Sequence, residues 1–167
     1  LASFSADILG KLAMAIGKSF DKYVRTFIPP VLAQLSDQKA AVRTIALNNF
    51  DKIFCVVGIS PLSTCISNAL TTEQPQIRKE LLTWLSAEEK NIEFDLNDAN
   101  TMIPCILSCL LDRSADVRKA ALAVLILLAK KVDAAMIRSK AADIYHGAQY
   151  STLAPYLDAL GFKSVDS

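Results

Sequence analysis

Apolar residues recur every three or four positions along almost the whole chain, the period of a helix that turns one face to a core. The breaks in that rhythm mark about nine helices and no convincing strand. Residues 2–16 place Phe4, Ile8, Leu9, Leu12 and Ile16 on one face and stop at Gly17, since glycine readily adopts the left-handed backbone that ends a helix. A second segment runs from Ser19 to about Leu35, with a kink or break expected at Pro29-Pro30, where two backbone donors are missing. Ser36 or Asp37 is placed to cap the next helix, which carries Val42, Ile45, Ala46, Ile53 and Val56 to Gly58. Ser60-Pro61 opens a short helix to about Leu70, and Pro75 opens another to about Glu89. The polar stretch 91–97 reads as a linker. Beyond it come a helix over 98–111 bent at Pro104, a long one capped by Ser114 and ending at Lys131, and two shorter ones, 134–146 and 151–160, set around Gly147 and Gly161.

The helices repeat. Asp112 to Arg118 reproduces the aspartate-x5-arginine frame of Asp37 to Arg43, valine included, and Gln76-Ile77-Arg78 is a third copy with Thr72 in place of the aspartate. Aligning Arg43, Arg78 and Arg118 puts Leu35, Leu70 and Leu110 eight residues before them. Leu47, Leu82 and Leu122 then fall four after, and Phe50, Leu85 and Leu125 seven after. The arginines are 35 and 40 residues apart, the length of a two-helix unit in a stacked α-solenoid. The expected fold is therefore an all-α superhelix in one domain. Residues 19–58, 59–92 and 98–132 form three helical pairs, 1–18 the second helix of a further pair, and 133–167 a helical remnant. Because the first helix is too apolar to serve as a polar cap, Leu1 reads as a cut edge of a longer array.

Composition narrows the classes. With 52% hydrophobic residues and a mean hydropathy of +0.31 the chain has ample material for a core. The longest apolar run, Ala120 to Ala129, is too short for a bilayer, which needs ~20 residues. Eighteen basic and 17 acidic residues leave a net charge of +1, no footprint for nucleic acid. Cys55, Cys65, Cys105 and Cys109 lie in apolar stretches without a C-x-x-C pair, and His146 is remote from them. Reduced core thiols are expected, with no metal site and a reducing compartment. Nothing resembles a nucleophile with its base or a phosphate-binding loop, so neither catalysis, cofactor nor small-molecule substrate is expected. A hidden thiol or zinc enzyme would reveal itself by a low-pKa cysteine or bound zinc.

The repeated frame resembles HEAT repeats, and the order of segments is similar to the TOG domains of the microtubule polymerases, the family of the colonic-and-hepatic tumour overexpressed protein. The resemblance rests on Leu12 to Tyr23 (a leucine-alanine run, a glycine and a phenylalanine-x-x-tyrosine), Leu35 to Arg43, Gln74 to Glu80 leading into Trp84-Leu85, and Asp112 to Arg118. It covers residues 8 to 132. It implies an array of HEAT repeats whose intra-repeat turns, aligned along one edge, bind the αβ-tubulin heterodimer or microtubules, in the cytoplasm and at the cytoskeleton, the spindle, centrosome or kinetochore included. The contacting turns would be Asp37-Gln38-Lys39, Thr72-Glu73-Gln74-Pro75 and Asp112-Arg113-Ser114, with Arg78 and Arg118 beside them. The alternative is a HEAT or armadillo scaffold holding another protein.

Two readings of the basic residues stay open at this level. Arg43, Arg78 and Arg118 stand in the first turn of their helices, where the helix dipole disfavours a cation by about 0.3–1 kcal/mol. Something must compensate: either a ladder in which each arginine meets the aspartate of its own or the adjacent turn, Asp37 or Asp112, or an acidic partner. Thr72 weakens the ladder in the middle repeat, so Arg78 is, of the three, the arginine expected to be free. Lys39 and Arg113 precede their helices and are expected to project from the turns, as solvated charges or as contacts to an acidic protein surface. Trp84, Phe50, Phe54 and Leu125 fall at core spacing.

Overall fold

The leucine eight residues before each repeated arginine is buried in all three copies, as are Phe50, Leu85 and Leu125 seven residues after. These observations come from a computed structural model that describes residues 2–161, with side chains from Ile8 onward except that of Glu89. Among the described residues there are nine α-helices and no strand: α1 (Ala2–Ile16), α2 (Val24–Ala33), α3 (Ala40–Val57), α4 (Ser63–Leu70), α5 (Pro75–Leu85), α6 (Leu96–Cys109), α7 (Ala115–Lys131), α8 (Ala134–Ile144) and α9 (Gly147–Asp158). Helices α2, α4, α6 and α8 follow one another in one layer, α1, α3, α5 and α7 in the other, and α9 packs on α8. The pairs α2/α3, α4/α5 and α6/α7 form the rungs. Between the layers lie Ile28, Leu62, Ile66, Leu81, Met102, Ile103 and Leu128, each essentially inaccessible, and each such side chain contributes about 1.5–3 kcal/mol by leaving water.

Several boundaries differ from the sequence reading, each for a local reason. The segment after Gly17, whose φ is +71°, is a 3-10 turn, Gly17–Tyr23, rather than the start of a helix. Its Phe20 is fully buried and stacks on Phe27 at 6.2 Å between ring centroids. Pro29 and Pro30 do not interrupt α2. The carbonyls they leave without a donor belong to Arg25 and Thr26, which are exposed and accessible to water. Helix α5 ends at Leu85, and Glu88–Lys90 forms a separate 3-10 turn. Helix α6 starts at Leu96, inside the expected linker, because Asp95 and Asp98 cap one another. The Asp95 carboxylate accepts from the Asp98 N–H at 2.7 Å, and the Asp98 carboxylate accepts from the Asp95 N–H at 3.4 Å. Asp98 is 1% exposed and takes a further hydrogen bond from Ser60 Oγ at 2.6 Å, which ties α6 to the start of the preceding pair. Gly147, expected between the last two helices, is instead the first residue of α9.

Helix α1 lies on α3 at close range. The Gly10 N–H donates to Asn49 Oδ1 at 3.1 Å, and Asn49, 1% exposed, anchors its own amide on the Ile45 carbonyl at 2.8 Å. On another face of α1, Ile8, Leu12 and Ile16 are exposed, and Met14 is exposed on the flank nearer Gly10. Phe4, expected to share that face, lies outside the described side chains.

Candidate functional site: the edge of turns

Arg43, Arg78 and Arg118 occupy the same position, the fourth residue of α3, α5 and α7, after N-caps at Lys39, Gln74 and Ser114. Each folds back and donates through Nη1 to the carbonyl six residues before it. Arg43 reaches Asp37 O at 2.7 Å, Arg118 reaches Asp112 O at 2.7 Å, and Arg78 holds Thr72 O. Arg43 and Arg118 take a second carbonyl as well, Gln38 O at 3.1 Å and Arg113 O at 3.0 Å. The compensation for a cation near a helix N-terminus is thus a pair of backbone dipoles at Arg43 and Arg118 and one at Arg78, and every arginine fastens its own turn.

Of the expected ladder, the contact to an adjacent turn forms, Arg78 to Asp112, while neither Arg43 nor Arg118 meets the carboxylate of its own turn. Asp37 Oδ1 accepts from the Lys39 N–H and Asp112 Oδ1 from the Ser114 N–H, both at 2.8 Å, so each carboxylate shapes the turn that leads into its helix. Neither Ser36 nor Ser114 caps through its hydroxyl; Ser36 Oγ donates backward to Ala33 O at 2.8 Å. Arg78, expected to be free, is the most firmly held of the three. Its Nε meets Asp112 Oδ2 at 2.7 Å across the repeat boundary, with both side chains largely buried. Thr72 has no carboxylate to offer, and the next repeat supplies one.

Further bonds link adjacent repeats. Arg43 Nε lies 3.5 Å from Glu80 Oε1, and Lys79 Nζ 3.3 Å from Asp116 Oδ2. Glu80 and Asp116 were not singled out in the sequence. The available signal was their place two residues from Arg78 and Arg118, which puts acid beside each basic N-terminal helical turn.

With the arginines engaged, the outer residues of the turns remain. Gln38, Lys39, Glu73, Gln74 and Arg113 are exposed and Ser114 half-buried. Among the described residues, no hydrogen bond or ion pair engages the charged groups of Lys39, Glu73 or Arg113. Lys39 and Arg113 thus carry unpaired cations and Glu73 an unpaired anion along the edge, with the exposed Asp37 carboxylate, held by a main-chain N–H, beside Lys39. Arg78 and Arg118, grouped with the contact residues from sequence, lie behind these tips.

The remaining candidates belong to the interior, with one exception. Trp84 is 6% exposed, meets Phe50 and Phe54 edge-on at 4.7 and 5.2 Å, and donates its indole N–H to Asp51 at 3.1 Å. Lys90 reaches the same carboxylate and lies over the Trp84 ring. Cys65 and Cys109 are buried and Cys105 half-buried, but Cys55 is exposed on α3, against expectation, because it falls on the helix face away from the second layer. Burial pushes the Cys109 thiol up to about 12, with nearby Arg78 pulling the other way, far from the depressed value of a reactive thiol.

This architecture is an α-solenoid of HEAT-type helix pairs with its turns on one edge. The family described as "Stalled ribosome sensor GCN1-like, HEAT repeats" matches residues 1–147. Centrosomal protein 224 of Dictyostelium discoideum is 30% identical over 130 residues, covering 75% of this chain and 6% of that protein. Protein mini spindles of Drosophila melanogaster is 31% identical over 126 residues, covering 72% and 6%. The chain thus spans about 6% of the length of these curated relatives. Among solved structures, the MAST/Orbit N-terminal domain superposes with a TM-score of 0.67 at 19% identity, covering 91% of this chain and 69% of that one. The TOG domain of Zyg9 from C. elegans gives 0.62 at 21% identity, covering 83% and 52%. The chain belongs to the HEAT-repeat family, and its fold is that of a TOG domain.

Proposed function

We propose that this chain is a non-catalytic tubulin-binding domain that acts in microtubule assembly and dynamics at the cytoskeleton, through the turns of α2/α3, α4/α5 and α6/α7. The observation that carries this reading is the division of labour on the edge: three arginines fasten the turns from behind, leaving Lys39, Glu73 and Arg113 unpaired in front. Similarity to mini spindles and Centrosomal protein 224, whose names place them at spindles and centrosomes, supports the same partner. We read 19–58, 59–92 and 98–132 as the three recognition repeats, with 1–18 and 133–167 as helical flanks.

The test is size-exclusion chromatography of the chain with soluble αβ-tubulin, repeated with Lys39→Glu/Arg113→Glu. Co-elution by the parent chain and its loss in the double variant, at an unchanged melting temperature, is the expected result. Absence of co-elution by the parent chain would overturn the reading, and co-elution undiminished by the double reversal would remove the edge from it. The matching family's description also names a stalled ribosome sensor, and ribosome pelleting weighs that second reading. Binding carried by phosphate contacts would fall steeply with salt, whereas the cations Lys39 and Arg113 of this edge are interleaved with the exposed carboxylates of Asp37 and Glu73.

A further inference from the structure

The middle turn breaks the charge pattern of its neighbours, and the structure shows what surrounds the break. A cleft of about 340 Å3 opens between the middle turn, at Glu73, Gln74 and Pro75, and the third turn, at Ser114 and Asp116, with Lys79 in its lining. The charges around it are already balanced save one. Lys79 pairs with Asp116 at 3.3 Å, and behind them Arg78 pairs with Asp112 at 2.7 Å. Glu73, exposed and without an ion pair, is the uncompensated group.

Neighbouring turns stand roughly one helix spacing apart, about 8–10 Å. That is comparable to the screening length of about 8 Å at physiological salt. A partner docked on the edge therefore meets three local fields in sequence rather than one averaged basic strip. Docking a uniformly acidic surface would bring a carboxylate against Glu73 while stripping both of water, and an unpaired charge buried at an interface is costly.

We propose that the cleft between the middle and third turns receives a lysine or arginine side chain of the partner, with Glu73 as its counter-ion, while Lys39 and Arg113 meet acidic groups on either side. The side-chain oxygens of Gln74 and Ser114 offer neutral acceptors within the same cleft. The surface that fits this chain thus presents basic charge between two acidic positions. This rests on the reading of the edge as the tubulin-binding site, and it specifies where on tubulin such an edge can seat.

The experiment measures affinity for soluble αβ-tubulin with the parent chain, Glu73→Gln, Glu73→Lys and Lys39→Glu/Arg113→Glu, each checked by melting temperature. Glu73→Gln is expected to weaken binding about threefold and Glu73→Lys about tenfold or more, since a like charge replaces the counter-ion. If the double reversal weakens binding while Glu73→Lys leaves it unchanged or tightens it, the edge binds tubulin but the cleft holds no basic group, and this inference fails alone. If the double reversal has no effect, or the parent chain does not bind, the underlying reading fails and takes the inference with it.

Discussion

Arg78 and Asp112 meet across a repeat boundary, Nε to Oδ2 at 2.7 Å, while the other oxygen of Asp112 holds the Ser114 N–H at 2.8 Å. One carboxylate therefore sets the shape of the third turn and its distance from the second. Asp37, its equivalent in the repeat frame, performs only the first task, because among the described residues its carboxylate accepts from the Lys39 N–H alone.

That difference gives a paired prediction. Asp37→Asn keeps an oxygen for the Lys39 N–H and is expected to change stability by less than about 0.5 kcal/mol. Asp112→Asn can keep the bond to Ser114 only by turning its amide toward the Arg78 guanidinium, donor against donor, and is expected to cost about 2–4 kcal/mol. Urea denaturation of the two variants checks this, and equal midpoints would show that the cross-repeat bond contributes nothing.

Gly10 offers a test of the α1/α3 contact. Alanine normally stabilises a helix interior by about 1 kcal/mol relative to glycine. Here an added Cβ would lie 2.5 Å from Asn49 Oδ1 and 2.9 Å from Lys52 Cδ. The lysine chain can move, but Asn49 is buried and tethered to Ile45. Gly10→Ala is accordingly expected to destabilise by about 1–2 kcal/mol, the lost hydrogen bond outweighing the propensity gain. A rise in the denaturation midpoint would contradict the close packing.

The exposed face of α1 carries its own expectation. Ile8 is 48%, Leu12 40% and Ile16 39% exposed on one face of the helix. Spaced four apart, these three form a contiguous apolar stripe, and such a stripe drives association. Sedimentation equilibrium is expected to show concentration-dependent self-association, reduced in Ile8→Gln/Leu12→Gln. A chain that stays monomeric at high concentration would show that the stripe is too small to act alone.

Alkaline pH is expected to weaken the fold. Burial raises the Cys109 thiol from its ordinary 9.0 to about 12, and burial raises the Tyr145 phenol as well. Above pH 9 the unfolded chain releases the Cys109 proton while the folded chain retains it. The contribution is therefore fully present below pH 9 and is lost as pH climbs toward 12. Comparing urea midpoints at pH 8 and pH 10 should show a smaller decline for Cys109→Ala than for the parent chain. Identical declines would place the effect elsewhere.

The scaffold was largely legible in the sequence because its signal is apolar and periodic. Leu35, Leu70 and Leu110, aligned on the arginines, share one place in the core, and Trp84 packs where its spacing put it. The bonding at the edge was less legible, since it runs through carbonyls and across repeats. No side-chain pattern announces that Arg43 will grip Asp37 by its backbone rather than its carboxylate. The loss of an aspartate at Thr72 suggested a free Arg78, but the acid that holds Arg78 lies 34 residues onward. Local breaks misled for a related reason: Gly147 and the Asp95-Asp98 pair begin helices where composition alone suggested connecting segments.

The fastening of each turn through its own main chain has a consequence for how such a chain changes over time. Backbone carbonyls survive any substitution, so the identities of Gln38, Lys39, Glu73 and Arg113 are not needed to hold the turns in place. A lineage can rewrite the charge order along the edge one residue at a time without disturbing the frame. Selection on what the edge recognises is thereby uncoupled from selection on whether the chain folds.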